Sequence, residues 1–197
     1  MATSRIAVIL WRMDGVPDEP DDNALMSAYA MGDQRAFELL YSRHRAGLYR
    51  YILRLLRDRT TADELFQDVW QRVIHARSGW RPSGSFSGWL YQIAHHRVND
   101  HWRARRHRPA APIDAEERVA AIPDQGTPER AVSEFEQRRR LQLALETLPR
   151  EQREVIALRL EQELTLEEIA TITGVGRETV KSRLRYAMDK LRVEMQP

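Results

Sequence analysis

The chain is 197 residues long, 42% hydrophobic and 30% charged, with a formal net charge of +2. That apolar content suffices for one large packed domain or two small ones, and the absence of cysteine excludes disulfides, thiolate metal sites and cysteine nucleophiles. No apolar run approaches a membrane span, and the short stretch Ile6–Trp11 lacks the length and cleavage pattern of a signal peptide, so a cytoplasmic location is expected.

Aliphatic and Arg/Glu-rich stretches dominate and strand-type runs are scarce, which predicts an all-α protein. Residues 1–22 end in Pro, Gly and repeated acids and read as a flexible tail. From Asn23 onward the pattern is helical. Phe37, Leu40, Tyr41, His44, Leu48, Ile52, Leu55 and Leu56 recur at three- and four-residue steps, which is one helix face. Asp58-Arg-Thr60 interrupts it, and Thr61-Ala-Asp-Glu64 has the spacing of a capping box. The stripe Leu65, Phe66, Val69, Trp70, Val73, Ile74 follows. Gly79, Pro82 and Gly84 mark a loop over Ser78–Gly84, after which a helix begins near Ser85 with Phe86, Trp89, Leu90, Ile93, Ala94 and Val98 facing inward.

Four prolines among alanines and acids in 107–128 predict a linker between a first domain, 23–106, and a second, 129–197. In the second, Leu141, Leu145 and Leu148 continue helical spacing, Pro149 suits the first turn of a new helix, and Val155, Ile156 and Leu160 are expected to form its inner face. Thr165-Leu-Glu-Glu168 is another capping-box pattern, opening a helix of about two turns. Thr173-Gly-Val-Gly176 supplies a tight turn. Val180, Leu184, Ala187, Met188 and Leu191 then line one face of a second helix. Short helix, glycine turn and amphipathic helix together predict a helix-turn-helix. Its outer face carries Arg177, Glu178, Thr179, Lys181, Ser182 and Arg185, side chains suited to base edges and phosphates in a major groove.

Charge is distributed unevenly. Residues 95–108 carry a net +4 and residues 176–192 a net +4, while 109–137 carry −5. Two basic patches divided by an acidic segment suggest two DNA contacts on one chain. In the first patch aromatics precede arginines, a combination that holds single-stranded DNA by stacking and phosphate pairing. Trp89 aligns with Ile93 and is assigned to the core, leaving Trp80, in the loop, as the DNA-facing ring. His95, His96, His101 and His107 show no metal-ligand spacing and no completing carboxylate, so neither a metal nor a cofactor is expected. No phosphate-binding loop or catalytic constellation is present, and the chain is read as a non-enzyme.

Several stretches together resemble bacterial RNA polymerase sigma factors of the extracytoplasmic-function type, within the sigma-70 family. They are Ala36-Phe-Glu-Leu-Leu-Tyr41, Ala62-Asp-Glu-Leu-Phe-Gln-Asp-Val69, Phe86-Ser-Gly-Trp-Leu-Tyr-Gln-Ile-Ala94, Leu148-Pro-Arg-Glu-Gln-Arg-Glu-Val155 and Leu164–Leu184. The resemblance covers about Asn23–Arg108 and Glu129–Met195. It implies two helical domains, sigma region 2 and sigma region 4, joined by a linker that threads through the polymerase. It implies that Asp63, Glu64, Gln67, Asp68 and Arg72 meet core RNA polymerase at the clamp coiled coil, with the polymerase flap as a further contact. Trp80, His95, His96, Arg97, Asn99, Asp100 and Arg103 would read and melt the minus-ten element, and the second helix of the helix-turn-helix would read minus-thirty-five. An anti-sigma factor is an implied partner. The family commonly has Arg-Asn after Ile-Ala, where this chain has His95-His96, a departure bearing on minus-ten preference. If either imidazole must be charged, transcription should weaken as pH rises past the His pKa. A stand-alone helix-turn-helix regulator, binding duplex DNA as a dimer without polymerase, is the alternative.

Overall fold

The computed structural model describes residues 20–106, 139–162 and 164–195. The expected tail over 1–22 and linker over 107–128 lie almost entirely outside them. Among the described residues the fold is helical: α1 (Asp22–Ala30), α2 (Gln34–Leu56), α3 (Arg59–Ala76), a 3-10 turn (Arg77–Gly79), α4 (Phe86–Arg106), α5 (139–147), α6 (Arg150–Gln162), α7 (Leu166–Thr173) and α8 (Arg177–Glu194).

Short polar side chains set the helix starts. Asp21 accepts from the Ala24 N–H at 2.7 Å, and Asp33 accepts from Arg35 at 2.9 Å. The α2/α3 junction differs from the expected capping box at Thr61. Asp58 is the N-cap, accepting from the Thr61 N–H at 2.9 Å, so α3 starts at Arg59, before Thr61. An aspartate at the N-cap satisfies the same free amide and also complements the positive helix end. Arg57 makes the corner, taking a left-handed φ of 60°. Ser85 opens α4 by accepting from the Gly88 N–H at 3.0 Å. The box at Thr165 and Glu168 forms as its spacing predicts, with reciprocal bonds. Gly174 ends α7 at φ 67°, where a side chain would be strained.

The stripes predicted for α2, α3 and α4 converge on one core, with Leu40, Tyr51, Val69, Phe86, Leu90 and Val98 buried, except that Ile74 at the end of the α3 stripe is 43% exposed. A smaller core of Ala144, Leu145, Leu148, Ile156, Ala187 and Leu191 holds α5, α6 and α8 together. These cores are joined. Val155, Ala157, Leu158, Leu164, Ile169 and Ile172 belong to the larger cluster, so α6 packs along α2 and α7 along α4. The expected inner face of α6 is therefore incomplete. All four residues Val155–Leu158 are fully buried, whereas Leu160 is 58% exposed. A helix apolar on every side over one turn must be covered on every side, and α6 is sandwiched between the two halves.

Candidate nucleic-acid interface

The helix-turn-helix presents the outer face its sequence predicts. Val180, Ala187 and Leu191 point into the cores, while Arg177, Glu178, Thr179, Lys181 and Arg185 are exposed and Ser182 is half-buried; Met188, expected on the inner face, is instead 46% exposed. The face is partly paired with itself. Arg177 Nε donates to Glu167 at 2.5 Å, and Glu178 lies 3.5 Å from Arg177 and 3.9 Å from Lys181. Exposed pairs of this kind are screened by solvent and hold only weakly, so phosphate can displace them. Arg185 lies over the ring of exposed Tyr186, 5.0 Å from its centroid. Tyr186 was absent from the sequence-based set, although its position beside Arg185 at the end of the polar face was a usable signal.

The first basic patch is arranged less openly. His96, Asp100 and Arg103 are exposed. Arg97 is tied to Asp68 and lies 3.4 Å from Asp100. Asp68 also accepts from Arg72 at 3.2 Å. One carboxylate therefore joins the expected polymerase-facing helix to the expected minus-ten helix, and its pKa is lowered because the two guanidiniums outweigh its desolvation. Asp63, Glu64 and Gln67 are exposed along α3.

Trp80 differs from expectation. It is only 8% exposed, edge-on to Trp89 at 4.9 Å and to Phe86 at 6.1 Å. The loop turns this ring inward because the α4 start presents an aromatic surface to cover, and an indole removes more apolar area there than any other side chain. Trp89, assigned to the core, is half-buried in the same stack. The aromatic beside the arginines is instead Trp102, half-buried, with Arg105 and Arg150 guanidiniums 5.9 and 5.5 Å from its ring centroid.

His95 also departs from its expected place. It is 9% exposed and reaches across to α6, its Nδ1 2.6 Å from Glu154 Oε1. Asn99 Nδ2 lies 2.7 Å from His95 Nε2, and Asn99 Oδ1 accepts from Arg150. Arginine can only donate, which fixes the direction of the whole chain. Asn99 donates to Nε2, and the ring's Nδ1–H donates to Glu154. The Tyr51 hydroxyl donates to the same Glu154 oxygen at 2.9 Å. Burial pushes the Glu154 carboxyl up, but the hydrogen bonds from His95 and Tyr51 and the Arg150 charge outweigh it, and its pKa is lowered. The sequence signal for this contact was present in part: a glutamate directly before the apolar run Val155–Leu158 is forced toward the same covered side.

Between the halves runs an open groove of about 1110 Å³, lined by Arg72, His96, Arg97 and Arg103 on one side and by Thr171–Gly174 on the other. The basic end of α4 and the turn of the helix-turn-helix thus border one concave surface, which the α8 face does not line. Among the described residues, no helix is long and apolar enough to cross a membrane.

Comparison with known proteins agrees with this architecture. Residues 40–108 match the family model for sigma-70 region 2, and residues 144–193 match that for sigma-70 region 4. The RNA polymerase sigma-H factor of Pseudomonas aeruginosa is 30% identical over 91% of this chain and 96% of its own length. The ECF RNA polymerase sigma factor SigK of Mycolicibacterium vanbaalenii is 33% identical over 86% and 87%. Among solved structures, CnrH in complex with the cytosolic domain of CnrY aligns over 87% of this chain and 95% of its own, at 25% identity and a TM-score of 0.62. The sigma factor RpoE of Bartonella quintana, solved with the anti-sigma factor NepR, shares the fold at a TM-score of 0.65, with 22% identity over 82% and 97%. With both helical units matched in order and relatives aligned along nearly its full length, this chain belongs to the extracytoplasmic-function sigma factors of the sigma-70 family.

Proposed function

We propose a division of labour within this sigma factor. The exposed face of α8, through Arg177, Glu178, Thr179, Lys181, Ser182 and Arg185, reads the minus-thirty-five element. The α4 helix, through His96, Arg97, Asn99, Asp100, Arg103 and, once uncovered, His95, reads and holds the melted minus-ten element. Asp63, Glu64, Gln67, Asp68 and Arg72 on α3 engage the clamp coiled coil of core polymerase, where acids suit a basic partner. The polymerase carries the catalysis. This chain supplies specificity, since bases held out of the stack offset a few kcal/mol per opened step. An anti-sigma factor is its regulatory partner, and the cytoplasm its place of action.

The observation that carries this reading is that one chain presents two separate basic surfaces, the exposed face of α8 and the exposed end of α4. The test adds purified protein to sigma-free core polymerase and scores run-off transcripts from genomic promoter fragments. Promoter-specific initiation is expected. No core complex and no specific transcript would overturn the reading.

A further inference from the structure

We propose that this chain carries its own off-state: Glu154 and Arg150 of α6 latch the C-terminal half onto α4 by occupying His95 and Asn99, so that the latch and minus-ten reading exclude one another.

Several separate contacts hold the closed arrangement. The hydrogen-bonded chain Arg150–Asn99–His95–Glu154–Tyr51 runs through the boundary, with Glu154 5% exposed. Glu168, which caps α7, also accepts from Ser85, the residue that caps α4. Arg57, at the α2/α3 corner, donates to the Glu146 carbonyl at the end of α5. Val155, Ala157, Leu158 and Ile172 complete the apolar core of the first half.

The contacts are chemically matched rather than merely adjacent. Glu154 receives two donors from two different helices of the other half. A buried carboxylate without donors is costly, and a fully satisfied one specifies a single register. Opening must leave Glu154 and Tyr51 to water and uncover the apolar strip. It also frees His95 and Asn99, whose polar atoms are otherwise consumed. A base or phosphate cannot take those atoms while α6 does.

The closed form is also held against repulsion. Arg153 of α6 is buried, donating to the Leu145, Glu146 and Leu148 carbonyls, and it sits beside Arg57 and Arg54. Burial and those neighbouring guanidiniums lower its pKa to about 10. Like charges gathered at the boundary oppose the latch, while the Arg153 guanidinium also donates across it to the Arg54 carbonyl at 3.5 Å.

The inference rests on the proposed role of α4, and the experiment separates the two. The chain contains no cysteine, so Ser42→Cys and Asp189→Cys place one fluorophore on each half without background. Energy transfer in the full chain should report one closed population. Glu154→Ala should shift it toward low transfer and tighten binding of a single-stranded minus-ten oligonucleotide at least tenfold. Tyr51→Phe, which removes one donor and no volume, should shift it partway, and it carries the test if Glu154→Ala loses helical content. Unchanged transfer in both variants, or opening without any gain in oligonucleotide affinity, overturns the latch. Separately, Ser85→Cys with Glu168→Cys, bridged by a short bis-methanethiosulfonate crosslinker, should lose initiation, with reduction restoring it. Normal initiation by the crosslinked protein also overturns the latch. If the wild-type and reduced chains fail to initiate while transfer still reports closure and its loss, the promoter-reading role has failed and the closed state stands.

Discussion

Replacing Trp80 with Ala separates a core role from a DNA-facing one. The indole is 8% exposed and packs on Phe86 and Trp89. A ring of this size removes on the order of 150–250 Å² from water, or about 4–6 kcal/mol at ~25 cal/mol per Å². Part of that is offset, because its Nε1 is buried without a hydrogen-bond partner, a penalty of about 1–3 kcal/mol that alanine removes. The net loss should be about 3 kcal/mol, at the low end of the ~3–5 kcal/mol typical of Trp truncation. For a helical unit of this size that lowers Tm by roughly 12–24 °C. Urea denaturation followed by circular dichroism measures the loss. Affinity for a single-stranded minus-ten oligonucleotide, taken well below the new Tm, should change little. Trp80→Phe should recover most of the stability. Stability within about 0.5 kcal/mol of wild type, together with a collapse of oligonucleotide binding, would refute the packing argument and return Trp80 to the DNA.

Arg185→Ala should weaken minus-thirty-five binding by about 1–3 kcal/mol if the contact is bidentate, with core-polymerase binding nearly unchanged; equal loss of both in a pull-down and a promoter shift assay would indicate a damaged fold instead. Thr165→Ala removes the box that caps α7 and should cost about 1 kcal/mol, seen in thermal denaturation, whereas Thr165→Ser should retain most of it. Glu154 has a lowered pKa in the folded chain, so its stabilisation is complete above the ordinary value of 4.5 and is lost as pH falls through the lowered one. Acidification below that value should therefore separate the halves, while the step from about pH 6 to about pH 8 leaves the Glu154 share unchanged; small-angle scattering from about pH 8 down through the lowered Glu154 value reports both, and closure that survives acidification would contradict the sign.

What the sequence determined by itself is everything that repeats locally. The helices, the capping box at Thr165, the glycine turn and the exposed face of α8 follow from three- and four-residue spacing and from side chains that satisfy backbone groups within one turn. The family was legible for the same reason, in short motifs whose order along the chain survives. Caps compete locally as well, and at the start of α3 Asp58 prevailed over Thr61 because it lies one residue before the first helical turn. Tertiary structure decided the rest. No periodicity within 78–84 could show that Trp80 turns inward, since the surface that buries it, Phe86 and Trp89, comes from the next element. Nor could spacing show that His95 meets Glu154 across 59 positions. The run Val155–Leu158 announced burial on every side but not by what. Which partner a buried polar or apolar group finds depends on how the helices pack, and that packing brings α6 onto the helix expected to read DNA.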